Sequence, residues 1–195
     1  MIILASTSSA RQSMLRAAGV DLTPVAPGVD EALAKRALLQ DGVSPRDMAD
    51  ALAELKAVRV SRRMPGLVLG ADQTLDLDGC VVDKAETLAD LRRTLLDLRG
   101  RRHSLHSAAV IAENGLPVWR ALRTTRLKVR TFSNTWLDGY LEQHGSDVMS
   151  SVGGYHLEAA GAQLFEQVDG DYFTVLGLPL LDVLGYLRDR GELMA

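Results

Sequence analysis

Apolar residues in this chain follow two rhythms, short unbroken runs and runs spaced three or four apart, and the two alternate along its length. Ile2, Ile3 and Leu4 form a continuous triplet, and so do Leu67, Val68 and Leu69, the pattern of strands buried in the middle of a sheet. Met14, Leu15 and Ala18 follow the first triplet at helical spacing, with Gly19 to stop the helix. LTPVAP (22–27) reads as a short extended piece, and VDEALAKRALLQDG as a helix stopped by Gly42. Ser44 then caps a further helix with Pro45 at its first position, and Met48, Ala51, Leu52, Leu55 and Val58 share one face of it. Asp78-Gly79 joins TLDL to CVVD as a two-residue hairpin, and Asn114-Gly115 turns a longer one. Leu88, Leu91, Leu95 and Leu98 mark another helix. Ser133 caps one that carries Trp136, Leu137, Tyr140 and Leu141, and Leu180, Leu184 and Leu187 mark the last. Strands and helices alternating, with hairpins inserted, predict an α/β fold around a mixed sheet. No linker, repeat or low-complexity segment divides residues 1–195, so one domain is expected.

Composition narrows the function. The chain has 195 residues, is 47% hydrophobic and carries a net charge of -3, which suits a globular core and disfavours general affinity for DNA or anionic membranes. Aromatic residues make up 5%, too few for base-stacking platforms on single strands. RTTRLKVR alternates Arg126, Lys128 and Arg130 with Leu127 and Val129, as one solvated face of a strand does. Cys80 is the single cysteine, so an intrachain disulfide is excluded. No membrane-length apolar run and no basic leader is present, and the expected location is the cytoplasm, with no membrane or nucleic-acid partner. His103 and His106 fall on opposite faces of a strand, which argues against a shared metal.

The candidate chemistry begins at LASTSSAR. A strand ending in hydroxyls at a helix N-terminus is a natural anion site, since free N–H groups and the helix dipole converge there. The same residues also serve plain helix capping. Arg11 adds a fixed cation that the helix dipole does not call for. Asp72, in GADQ, stands at the carboxyl end of an apolar strand, where open α/β sheets build their sites, although a turn aspartate reads the same. Glu31 lies in the first turn of a helix, where acids also favour the dipole. Cleaving a phosphoanhydride needs cations for phosphate oxygens, carboxylates for Mg²⁺, and one carboxylate to deprotonate water. Arg11, Lys56, Lys84, Glu31 and Asp72 supply that set from separate segments.

With those residues in view, the chain resembles the Maf family of nucleoside triphosphate pyrophosphatases nearly end to end. LASTSSAR resembles the family's N-terminal signature, VDE (29–31) its acidic motif, and LKA (55–57) its first lysine motif. LGADQ (69–73) is similar to its central aspartate motif and VVDKA (81–85) to its second lysine motif. SVGGYHLEAAGAQLF and GDYFTVLGLPL resemble its later segments. The resemblance implies an elongated α/β fold with a nucleotide cleft between two lobes. It implies hydrolysis of a nucleoside triphosphate to monophosphate and pyrophosphate with a divalent cation, Mg²⁺ or Mn²⁺. Asp72 would accept the proton, Glu31 and Asp72 would hold the metal, and Lys56 and Lys84 would neutralise phosphate charge. Ser6, Ser8 and Arg11 would contact phosphates. Gln73 and Glu158 resemble the branch that prefers 7-methyl-GTP, while Ser9, Ala10 and Ala85 depart from the usual family residues. The expected partner is the nucleoside triphosphate, with a homodimer also open. The alternative function is a non-catalytic nucleotide-binding regulator linked to arrest of cell division.

Overall fold

In the computed structural model, which describes residues 1–194, helices flank a mixed sheet. Strand β1 (Ile2–Ala5) leads through helix α1 (Ser9–Ala17) to β2 (Leu22–Pro24), then α2 (Glu31–Gln40) and α3 (Pro45–Ser61). The long strand β3 (Val68–Leu77) turns into β4 (Cys80–Val82), and α4 (Leu88–Leu98) follows. The hairpin of β5 (Arg102–Glu113) and β6 (Leu116–Val129) leads to α5 (Asn134–Val148) and a 3₁₀ turn at Ala160–Leu164. The chain closes with β7 (Phe165–Asp169), a short α6 (Tyr172–Val175) and α7 (Leu180–Asp189). Among the described residues the sheet has seven strands in the order β2-β1-β3-β5-β6-β7, with β4 on β3. The pairs β1/β2 and β1/β3 are parallel, with Leu4 opposite Leu69, while β3/β4 and β6/β7 are antiparallel. The mixed α/β architecture expected from the alternation is therefore present.

Both hairpin turns form as expected, with Asp78 and Asn114 in the left-handed region ahead of Gly79 and Gly115. The caps also fall where expected: Ser44 Oγ accepts from Asp47 N at 3.1 Å and Ser133 Oγ from Trp136 N at 3.1 Å. Helix α3 differs. Its buried stripe is Met48, Ala49, Leu52, Ala53, Lys56, Ala57 and Val60, whereas Leu55 is exposed. The helix is rotated because an alanine seam, Ala49, Ala53 and Ala57, packs on Ala108, Val110 and Ala112 of β5. Small residues on both sides let backbone approach backbone. A Cβ on Gly70 of β3 would lie 2.3 Å from Ala53 O and 2.6 Å from Ala57 N.

The chain divides into two compact units. Unit 1 comprises residues 1–73, 106–123 and 171–195, and unit 2 comprises residues 74–105 and 124–170. The sheet of unit 1 is covered on one face by α1 and α7, through Leu4, Leu15, Leu69, Ala71, Leu180, Val183 and Leu187. Its other face meets α3 through the alanine seam and through Val60, which packs with Ile3, Ala5 and Val68. Each buried leucine or valine removes apolar surface worth about 1.5–3 kcal/mol from water, so both faces contribute to holding β1 and β3 in place. In unit 2, Leu91, Leu95 and Leu98 form the buried side of α4, while Leu88 at its start is exposed.

Candidate active site

The close seat of α3 has a chemical consequence. Lys56 sits between Ala53 and Ala57 on the sheet-facing side, so its long stem runs into the protein rather than to water. Its ammonium donates to Asp72 Oδ1 at 2.6 Å and pairs with Glu31 Oε1 at 3.0 Å. Lys56 and Asp72 are buried, at 4% and 6% exposure, whereas the Glu31 carboxylate reaches solvent. Glu31 is placed by the start of α2, where Asp30 Oδ1 caps Leu33 N at 2.9 Å. Asp72 Oδ2 is buried and has no hydrogen-bond partner. An ionised oxygen left that way is costly, so it marks a place for a ligand that is a donor or a cation.

The serine-rich turn lies in the same unit. Ser8 is the N-cap of α1, its Oγ accepting from Arg11 N at 3.4 Å. Ser6 is buried, and its Oγ accepts from Ser8 N at 3.2 Å and from Arg11 Nη1 at 3.5 Å. Arg11 also donates from Nη1 to Ala71 O at 3.0 Å and from Nε to Gly177 O at 2.8 Å. Burial pushes the Arg11 guanidinium below its ordinary value, against the opposing pull of the Asp72 and Glu31 carboxylates. The cation at this turn is thus tied to backbone on two sides and held within electrostatic reach of both acids.

The structure therefore gathers Ser6, Arg11, Glu31, Lys56 and Asp72 in unit 1, with Ser8 as a cap. Gln73 is in the same unit, but its side chain turns to the other face of β3 and is spent on protein contacts. Lys84 and Glu158 belong to unit 2, Lys84 exposed after β4 and Glu158 exposed in a turn. The segment before Glu158 is well fastened: Tyr140 Oη donates to Gly154 O at 3.2 Å, and Tyr155 Oη meets His103 Nε2 at 2.7 Å. Sequence reasoning misses Ser107, Thr174 and Gly177, which hold Gln73 and Arg11. For the last two, the available signal is the GDYFTVLGLPL segment, whose pattern suggests no role by itself. Among the described residues no three His, Cys, Asp or Glu side chains come together as a ligand set.

A family model described as Maf-like protein matches residues 1–190. The chain belongs to the Maf family. Among its curated relatives, a nucleoside triphosphate pyrophosphatase of Caulobacter vibrioides is 56% identical, the match covering 98% of this chain and 96% of that protein. Nucleoside triphosphate pyrophosphatase 1 of a Jannaschia species is 49% identical, over 97% of this chain and 96% of its own length. A nucleoside triphosphate pyrophosphatase of Roseobacter denitrificans is 48% identical, over 98% and 97% respectively. In Maf terms, the acidic motif and first lysine motif meet the central aspartate motif at the Lys56 ammonium. No helix among the described residues is long and apolar enough to cross a membrane.

Proposed function

We propose that this chain hydrolyses a nucleoside triphosphate between its α and β phosphates, with Asp72 accepting the proton of the attacking water. One observation carries the reading: Asp72 is buried, held through Oδ1 by Lys56, and left with Oδ2 unspent. A carboxylate fixed at one oxygen and open at the other can hold a water and take its proton. Lys56 and Arg11 supply fixed positive charge for phosphate oxygens. Ser6, Ser8 and the first turn of α1 supply further phosphate donors. The name shared by the relatives supports the same reaction class. The regulator alternative would use the same oxygen to hold a metal-bound nucleotide and differs in predicting binding without turnover.

The donor set fits a divalent cation that arrives with the substrate. Mg²⁺ usually takes one or two carboxylates and completes its shell with phosphate oxygens and water. Asp72 Oδ2 and the exposed Glu31 carboxylate would be its protein ligands, and when bound it would neutralise charge on the phosphates. For the base, the support is the resemblance of Glu158 to the branch that prefers 7-methyl-GTP, since a carboxylate can accept from a guanine edge and suits a methylated, cationic ring.

The test is a product assay on the full chain with Mg²⁺ or Mn²⁺ and a panel of GTP, UTP, dTTP and 7-methyl-GTP. Monophosphate and pyrophosphate in equal amounts are expected, with 7-methyl-GTP turned over fastest. Diphosphate with free phosphate as the main products would overturn the reaction. Faster turnover of UTP or dTTP would overturn the base assignment and leave the reaction standing.

A further inference from the structure

Asp72 and the residue after it face opposite ways. Side chains alternate along a strand, so Val68, Gly70 and Asp72 point to the α3 face of β3 and Leu69, Ala71 and Gln73 to the other. The contacts agree. Val68 packs with Val60 and Asp72 reaches Lys56, both on α3, while Leu69 and Ala71 join the core formed with Leu178, Leu180 and Val183. On that second face Gln73 Nε2 lies 3.0 Å from Ser107 Oγ, 2.9 Å from Thr174 O and 3.0 Å from Val175 O. Two of these are carbonyls, which only accept, so the amide nitrogen and not the oxygen must face them. Ser107 Oγ in turn donates to Thr174 O at 2.7 Å. Both protons of the Gln73 amide are therefore spent inside the protein.

The acceptors belong to a segment that is itself tightly held. Asp171 Oδ2 accepts from Thr174 N at 2.7 Å and from Thr174 Oγ1 at 2.9 Å, closing the single turn of α6. Past α6, Gly177 O takes the hydrogen bond from Arg11 Nε, and Arg11 Nη1 returns to Ala71 O on β3. Gly177 has a φ of +98°, and a Cβ there would sit 3.4 Å from Arg11 Nη2 and 3.7 Å from Gln73 Oε1. Only glycine fits this meeting of two braces without strain. The hydrogen bonds form a circuit that leaves β3 at Ala71, runs through Arg11, Gly177 and the α6 turn, and rejoins β3 at Gln73. Asp72 is the residue it encloses.

We propose that Gln73 is a positioning residue: it fixes, from behind the sheet, the backbone that carries Asp72, and it does not touch the nucleotide. The proposal rests on Asp72 being the proton acceptor, and it parts from the role that resemblance suggests for Gln73, reading the base together with Glu158. A carboxylate that must meet water and phosphorus in one geometry loses rate steeply when its backbone drifts. A displacement of ~1 Å costs about a hundredfold. A residue reading the base would instead alter the preference among nucleotides.

Two variants of the full chain test this. Gln73→Met keeps the length of the side chain and deletes its donors, and Ser107→Ala removes the relay on β5. Pyrophosphate release by the wild type is measured first, so a wrong reaction assignment shows there, as no release by the unaltered chain. For Gln73→Met, kcat is expected to fall about tenfold to a hundredfold, with KM within about twofold. The ratio of kcat/KM between 7-methyl-GTP and UTP is expected to stay unchanged. Ser107→Ala should move kcat the same way by less, and the double variant should lose less than the two separate losses combined. Should Gln73→Met fail to fold, Ser107→Ala carries the same readouts. A changed nucleotide ratio with kcat preserved on one substrate would overturn the proposal in favour of base reading. A lowered Tm with wild-type kcat would overturn it in favour of a purely structural residue.

Discussion

Unit 1 buries an ion pair, Lys56 with Asp72, whereas unit 2 buries a neutral pair, His103 with Tyr155. Each leaves one nitrogen or oxygen atom out of contact with water and without a partner, Asp72 Oδ2 in the first and His103 Nδ1 in the second. What surrounds the two atoms is different. Around Asp72 stand Lys56 and the buried Arg11, with Glu31 sharing the same ammonium. Around His103 stand rings: Phe165 at 6.1 Å and Tyr155 at 5.8 Å between centroids, with Tyr155 and Phe165 edge to face at 4.7 Å. Burial holds the His103 imidazole at about 4, far below its ordinary 6.5, and pushes the Tyr155 phenol well up, so both stay neutral near pH 7. An aromatic pocket can carry a neutral ring with one idle nitrogen at modest cost. A carboxylate oxygen beside cations can take an arriving donor or cation, and the proposed role of Asp72 rests on that contrast.

The largest effect expected from disturbing this contrast is at Lys56. Lys56→Met leaves Asp72 buried without its cation, and removing one partner of a buried pair costs roughly 3–5 kcal/mol of stability. Turnover should be lost with it. Because two carboxylates are then uncompensated, Mn²⁺ without nucleotide should raise the Tm of Lys56→Met more than that of the wild type. Equal shifts in thermal denaturation would show that Asp72 and Glu31 do not act together on a cation.

A smaller effect is expected at the neutral pair. The folded His103 binds its proton at about 4 and the unfolded chain at 6.5, so the unfolded state takes up the proton first as pH falls. Its contribution is full above pH 6.5 and is lost as pH falls toward 4, a change of about 3 kcal/mol. Tm measured from pH 7 to 4 should drop more steeply in the wild type than in His103→Gln. Parallel curves would mean that the folded imidazole takes up its proton as readily as the unfolded one, so that burial does not hold it neutral.

What could be read before the structure was local chemistry. Ser8, Asp30, Ser44 and Ser133 each cap the helix beside them, and the Asp-Gly and Asn-Gly turns set both hairpins within two residues. The rotation of α3 could not be read this way. Leu55 looks like a core residue until Ala108 and Ala112 of β5, more than fifty positions away, are seen to require a small surface opposite them. Lys56, Asp72 and Glu31 were nameable as chemistry, but their meeting depends on how closely α3 approaches β3, which rests on Gly70. The direction of Gln73 was available from strand alternation alone. Its partners Ser107 and Thr174 lie 34 and 101 residues away and carry no local mark.

Whether Asp72 takes the proton is decided by Asp72→Asn, with nucleotide binding and single-turnover hydrolysis measured on one preparation. Asparagine keeps the shape of the side chain and can still accept from Lys56 through its carbonyl oxygen, but it cannot take a proton from water. The variant is expected to fold and to bind triphosphate as well as the wild type or better, while the hydrolysis rate falls by about 10²–10⁴. A rate within a few-fold of the wild type, with or without a lowered Tm, would contradict it.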